Sequence, residues 1–134
     1  MVFTMRHRKK RVRELNVGVQ KTDNVIRNLI TSLIREWKIT TTLKKGKVLA
    51  SEMDRFMSDL LRTTDLLKDE KDIQREVIRK VKKVVFGQEE GKKVVRELFP
   101  KAKESGKRSG FTRLVKMESR KGDNATKVAV ILNI

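Results

Sequence analysis

A two-layer α+β domain is the fold this sequence predicts, with about four helices packed on a small three-stranded sheet behind a basic N-terminal arm. Three observations predict it. Apolar residues recur at helical spacing through the middle of the chain, short runs near residue 40 and toward the C-terminus alternate with period two, and the basic charge sits at the two ends. A chain of 134 residues is one domain with a real core. Helices and strands that are each apolar on one side bury those sides together most economically by laying the helices on one sheet face.

The chain opens with Arg6, His7, Arg8, Lys9, Lys10, Arg11 and Arg13, interrupted only by Val12, with no acid and no apolar period. Such a run has nothing local to hold it folded, so residues 1–21 are expected to be an arm that orders on a ligand, and 22–134 a single domain ending in a β-hairpin. The run is Arg-rich like a transit peptide but lacks the Ser content of one and enters the domain after a few residues.

Val25, Ile26, Leu29, Ile30, Leu33 and Ile34 predict a helix over 23–36, with Thr22 or Asp23 as its cap. Ile39 to Leu43 alternates as a short strand. Val48, Leu49, Met53, Phe56, Met57, Leu60 and Leu61 predict the longest helix, 45–62. A third helix starts near Asp69 to Asp72, turns Ile73, Val77, Val81, Val84 and Val85 inward, and stops at Gly87. A fourth, short one uses Val94, Val95, Leu98 and Phe99 and is expected to end before Pro100, because the residue before proline is pushed out of the α region. Lys101 to Gly110 reads as a basic linker. Then Phe111, Val115 and Met117 form the apolar side of a strand, 119–124 is rich in turn formers, and Val128, Val130, Leu132 and Ile134 alternate to the end, which together make a hairpin with a basic tip.

The chain has 34 Lys and Arg against 17 Asp and Glu, a net charge of +17 that calls for a polyanionic partner. Residues 1–48 carry 13 basic and 3 acidic groups, residues 49–99 carry 12 and 11, and residues 100–134 carry 9 and 3. The two basic ends are expected to share one nucleic-acid-facing side. With no Cys and one His there is no thiolate metal site, no disulfide framework and no imidazole relay, and no apolar run is long enough to span a bilayer. No catalytic residue, metal or cofactor is expected: the acids sit among Lys and Arg on amphipathic helices, and Phe86 to Lys93 lacks the spacing of a phosphate loop.

The candidate contacts are therefore basic. They are the arm, Arg27 and Arg35 on the first helix, Lys44, Lys45 and Lys47 at the entry to the second, and Arg120 and Lys121 with Gly122 at the hairpin tip, where guanidinium forks and a bare backbone suit close approach to phosphate. His7 fits either stacking on a base or plain solvent exposure. Trp37 and the five Phe read as core, with Phe111 the one most open to a stacking role. A DNA-binding, nucleoid-type protein is the alternative to an RNA-binding one, since charge alone does not separate RNA from duplex DNA. A modifying enzyme would need a cofactor loop or clustered acids, and a membrane-surface binder would line one helix face with its charge.

Met5-Arg6-His7-Arg8-Lys9-Lys10, Arg27-Asn28-Leu29 with Ser32-Leu33, and Ile39 to Thr42 resemble the large-subunit ribosomal protein L17 family of bacteria, as do Gly110-Phe111-Thr112-Arg113 and Arg120-Lys121-Gly122-Asp123 at the other end. The resemblance covers roughly 5–48 and 108–134, with Phe111 where the family usually has Tyr. Residues 1–4 precede the family's usual start, so either Met1 or Met5 fits as initiator. Gly18 to Asp23 lacks a usual His-Arg pair, Gly46 and Val48 to Ser51 depart from the usual Ala and acidic-basic pattern after the first strand, and 62–107 is similar only in helical character. The resemblance implies a non-enzymatic α+β protein of the cytoplasmic ribosome that binds large-subunit rRNA near the outer mouth of the peptide exit tunnel. It adds Asn28 and Arg113 to the RNA contacts, with rRNA and neighbouring large-subunit proteins as partners, and no homo-oligomer, membrane or small-molecule substrate.

Overall fold

The computed structural model of the protein describes residue 15 and residues 17–134. Helix α1 (Val19–Glu36) leads into strand β1 (Lys38–Thr42) and directly into α2 (Leu43–Leu66), followed by α3 (Glu70–Val84). Then α4 (Gln88–Lys93), a π-helical turn (Val94–Leu98) and α5 (Phe99–Ser105) run on without a break before strands β2 (Thr112–Lys116) and β3 (Lys127–Leu132). The α+β class is the expected one. β3, the most apolar strand, lies in the middle of an antiparallel sheet ordered β1–β3–β2.

The predicted apolar stripes form the core: Ile26, Ile30, Leu33 and Ile34 of α1 and Val48, Leu49, Met53, Met57 and Leu60 of α2 are buried against Val128, Val130 and Leu132 of β3. Leu43 N–H donates to Thr126 O (3.1 Å), so α2 starts beside the strand it will cover. Gly46, one turn in, rests on the sheet, where a Cβ would come within 2.3 Å of Val128 Cγ2.

α1 begins at Val19, four residues before its expected start, and Leu15 and Val17 already pack on the core. Neither Thr22 nor Asp23 caps it: Gly18 is the N-cap, and the Thr22 hydroxyl donates back to Gly18 O (2.8 Å) from inside the helix. At the other end Trp37 adopts the left-handed conformation (φ 63°), unusual for a bulky residue. It is held there from both sides. Its N–H donates to Leu33 O (2.8 Å), its carbonyl accepts from Leu132 N–H (2.9 Å), and the ammonium groups of Lys93 and Lys101 lie 5.2 and 5.0 Å from the ring centroid.

Two expectations fail along α4–α5. The helix does not stop before Pro100, and Lys101 to Ser105 are helical rather than linker. Val94, Leu98 and Ala102 are fully buried, so the apolar stripe continues past the proline and its packing overrides the local preference of Phe99. The wider turn accommodates the ring: Phe99 N–H reaches back to Val94 O, five residues earlier, and Pro100, which has no N–H to offer, falls in the first turn of α5.

The strand before the hairpin also differs. Leu114 pairs with Val130 and reaches toward Gly46 on the helical side, while Val115 and Met117, the expected inward residues, alternate to the opposite face; the three are 39%, 41% and 43% exposed. Phe111 precedes β2 and is outside its alternation, which is why counting from Phe111 chooses the wrong face.

The buried Thr31 hydroxyl ties α1 to the turn after α3, donating to Arg27 O (2.8 Å) and accepting from Phe86 N–H (3.0 Å). Thr31→Val keeps the shape and leaves that N–H unpaired, so the variant is expected to lose about 1–3 kcal/mol of stability in urea denaturation.

Candidate nucleic-acid interface

The antiparallel pairing of β1 with β3 brings the lysines that follow β1 to the base of the C-terminal hairpin. Thr42 lies opposite Lys127 and Thr41 opposite Val128, which in turn faces Lys116 on β2. Lys44, Lys45 and Lys47 at the start of α2 therefore stand at the same end of the sheet as Lys116 and Lys127 and the hairpin loop beyond them. α2 has no acid in its first turn and no side-chain cap at Thr42, so its positive dipole end adds to the lysines instead of being neutralised. Lys116 and Lys127 are absent from the sequence-derived set. Isolated lysines in a strand carry no signal until the register is known.

The hairpin loop is ordered by its own polar groups. The Arg120 guanidinium donates to both oxygens of Asp123 (3.1 and 2.7 Å), Asp123 accepts from Ala125 N–H (3.2 Å), and Arg120 N–H reaches Ala125 O (2.9 Å) across a left-handed Asn124 (φ 56°). The Ala125 N–H and then the Arg120 side chain hold the Asp123 carboxyl below its ordinary range. A depressed carboxylate pKa places the stabilising charge above that pKa, so this tie persists through neutral pH and is lost only as acid protonates Asp123. Arg120 thus already has an acidic partner, and phosphate binding there has to share or displace it. Lys121 is exposed, and Gly122 has open space where a Cβ would stand.

The other expected contacts lie apart from this end. Arg113 is on the uncovered face of the sheet, opposite Ile131 and in line with Lys38. Arg27 serves the fold: its guanidinium stacks 3.9 Å from the Phe86 ring centroid and its Nε donates to Val84 O (3.3 Å). Together with Arg55, Arg62 and Lys83 it lines a hollow of about 660 Å³ that also contains Asp23, Glu52 and Asp59, a mixed rather than a purely cationic surface. Asn28 is exposed on the same helix. Arg35 pairs with Glu90 (2.6 Å), whose carboxyl is held down by its own backbone N–H and by Arg35. Arg6, His7, Arg8, Lys9, Lys10, Arg11 and Arg13 lie outside the described residues. Phe111 is fully buried, which assigns it to the core.

Among the described residues no three acids or histidines gather as a metal site, and no helix is long and apolar enough to cross a membrane. The fold and its charged end define a basic α+β domain that presents lysines and arginines from one edge of a sheet, as a ribonucleoprotein component does. Residues 25–133 match the family model of ribosomal protein L17, and the chain belongs to that family. It is a structural constituent of the large ribosomal subunit, from a family of structural rather than enzymatic proteins. The match runs through 62–107, where the sequence resemblance is weakest, and begins after the basic N-terminal run.

Proposed function

We propose that the protein binds large-subunit rRNA with the sheet end formed by Lys44, Lys45, Lys47, Lys116, Lys127, Arg120 and Lys121, together with the arm from Arg6 to Arg13, in the cytoplasmic ribosome near the outer mouth of the exit tunnel. The observation that carries the reading is the pairing of β1 with β3, which juxtaposes the lysines that open α2 with the hairpin base. Lysines neutralise phosphates where RNA strands approach each other, and the rigid α2–sheet contact fixes the spacing between those phosphates. The domain thereby stabilises an RNA arrangement without reading much sequence. Arg113 and Asn28 contribute as secondary contacts, and the basic run Arg6 to Arg13 adds further phosphate contacts. Neighbouring large-subunit proteins complete the surroundings. Family membership favours rRNA over the DNA-binding alternative.

The test is filter binding of in-vitro-transcribed large-subunit rRNA across a salt series, with Lys47→Ala combined with Lys121→Ala. Two lost phosphate contacts are expected to lower affinity roughly tenfold and to flatten the log–log salt slope by about 1.4–1.8, with an unchanged thermal transition. An unaltered slope and affinity would remove this end of the sheet from the interface.

A further inference from the structure

We infer that the groove between α3 and the continuous α4–α5 helix is a docking site for an amphipathic, acid-flanked helix of another protein. This goes beyond rRNA binding and uses none of its residues. Two hollows of about 400 and 440 Å³ lie end to end along the groove and share Ile78, Val95 and Arg96. Their floor is apolar. Val77 and Val81 belong to the core, Ile73, Val95 and Phe99 pack on it, and Ile78 is left 41% exposed.

The rim is cationic: Lys82, Arg96 and Lys103 frame the groove, with Lys92 beside them paired to Glu89 (3.3 Å), and Glu70 is the one acid among the described lining residues. An apolar floor inside a ring of cations complements a helix with apolar residues at i, i+4 and i+7 and Glu or Asp on its flanks. Nucleic-acid surfaces need donors along their whole contact, and this floor offers almost none. From Ile73 to Val85 the groove wall spans about 18 Å at 1.5 Å per residue, the length of a helix of roughly 12 residues.

The π turn shapes the site. Its widened backbone keeps Val94 and Leu98 fully buried while Val95 and Arg96 face the groove, one on the floor and one on the rim. π turns inside helices recur at functional positions. α3 packs on α2, which in turn packs on all three strands, so the groove lies behind α2 from the sheet. A partner seated there leaves the lysine-lined sheet end accessible.

The experiment uses the full chain, ¹⁵N-labelled, and a fluorescein-tagged peptide of about 14 residues with Leu at i, i+4, i+7 and i+11 and Glu on both flanks. Binding is expected by anisotropy at physiological salt, with amide shifts concentrated at Ile73, Ile78, Val95 and Phe99. Ile78→Asp, an exposed position that the core does not need, is expected to weaken the peptide at least tenfold and to leave rRNA affinity unchanged. Lys82→Glu with Arg96→Glu is expected to reverse the preference toward a Leu/Lys peptide. The inference is overturned by absent binding, or by equal binding of a peptide with the same composition and scrambled Leu positions. It is equally overturned by amide shifts confined to Lys44–Lys47 and the hairpin, which would mark plain charge attraction, or by an rRNA fragment that shifts the groove amides, which would make this a second RNA face.

Discussion

Phe111→Ala is expected to cost about 3–5 kcal/mol, a large share of the about 5–15 kcal/mol that a typical domain has in total. Phe111 is the largest fully buried side chain among the described residues. It sits where the loop after α5 enters the sheet: its N–H donates to Asp54 Oδ1 (2.9 Å) and its carbonyl accepts from Asn133 N–H (2.8 Å), so α2 and the end of β3 meet at its backbone. The same loop is fastened to α2 by Ser58 Oγ on Arg108 O (2.8 Å) and by the Arg108–Asp65 pair (2.6 Å). The backbone is pinned on three sides, so a truncated ring leaves a cavity that cannot collapse. Denaturant titration measures the loss. Phe111→Leu separates packing from any stacking on RNA: it removes less volume than alanine, so it is expected to cost less than Phe111→Ala and to leave rRNA affinity unchanged, whereas a folded Leu variant with weakened rRNA binding would restore the stacking role.

The helical stripes were legible because burial imposes period 3.6 on apolar residues, and Ile26 to Ile34 and Val48 to Leu61 obey it closely. What the stripe cannot register is a polar first turn, so the start of α1 at Val19 was invisible. The run through Pro100 was hidden for a different reason. Ala102 carries the buried stripe across the proline, but a single alanine is a weak apolar mark beside a strong local rule. In the candidate site, the clusters Lys44–Lys47 and Arg120–Lys121 were visible as sequence neighbours. Their union with Lys116 and Lys127 depends on strand register, which no local pattern specifies. Arg27 shows the converse: a surface arginine by sequence, it is engaged by Phe86 and Val84, more than fifty residues away.

The distribution of charge has a structural counterpart. The nearly neutral middle of the chain pairs its charges locally, Glu52 with Arg55, Asp72 with Arg75, Glu76 with Arg79 and Glu89 with Lys92, each three residues apart along a helix. Such exposed pairs add little stability one by one. Their effect is to keep self-repulsion out of the helical body, so that the excess of +17 is carried toward the sheet end and the arm, where a polyanion can compensate it.

Gly46→Ala is the second variant with a large expected effect, and two opposing magnitudes decide its sign. In an exposed helix interior the change gains about 1 kcal/mol, since alanine loses less backbone freedom on folding. Here the new Cβ would stand 2.3 Å from Val128 Cγ2 and 3.3 Å from Leu114 Cδ2. Val128 is fully buried in the central strand and its β-branched side chain has few rotamers to retreat into, so α2 itself must lift from the sheet. Overpacking of this kind costs about 1–3 kcal/mol and occasionally more, enough to outweigh the helical gain. A net loss of about 2 kcal/mol is expected in urea denaturation. Because α2 carries Lys44, Lys45 and Lys47, the same displacement is expected to weaken rRNA binding without touching a basic residue. Val128→Ala alone opens a cavity and destabilises, but combined with Gly46→Ala it makes room for the Cβ. The double variant is therefore expected to be at least about 1 kcal/mol more stable than the sum of the singles allows. Strict additivity would mean that the helix and strand do not meet at these two residues, and that the spacing of the lysines from the hairpin is set elsewhere.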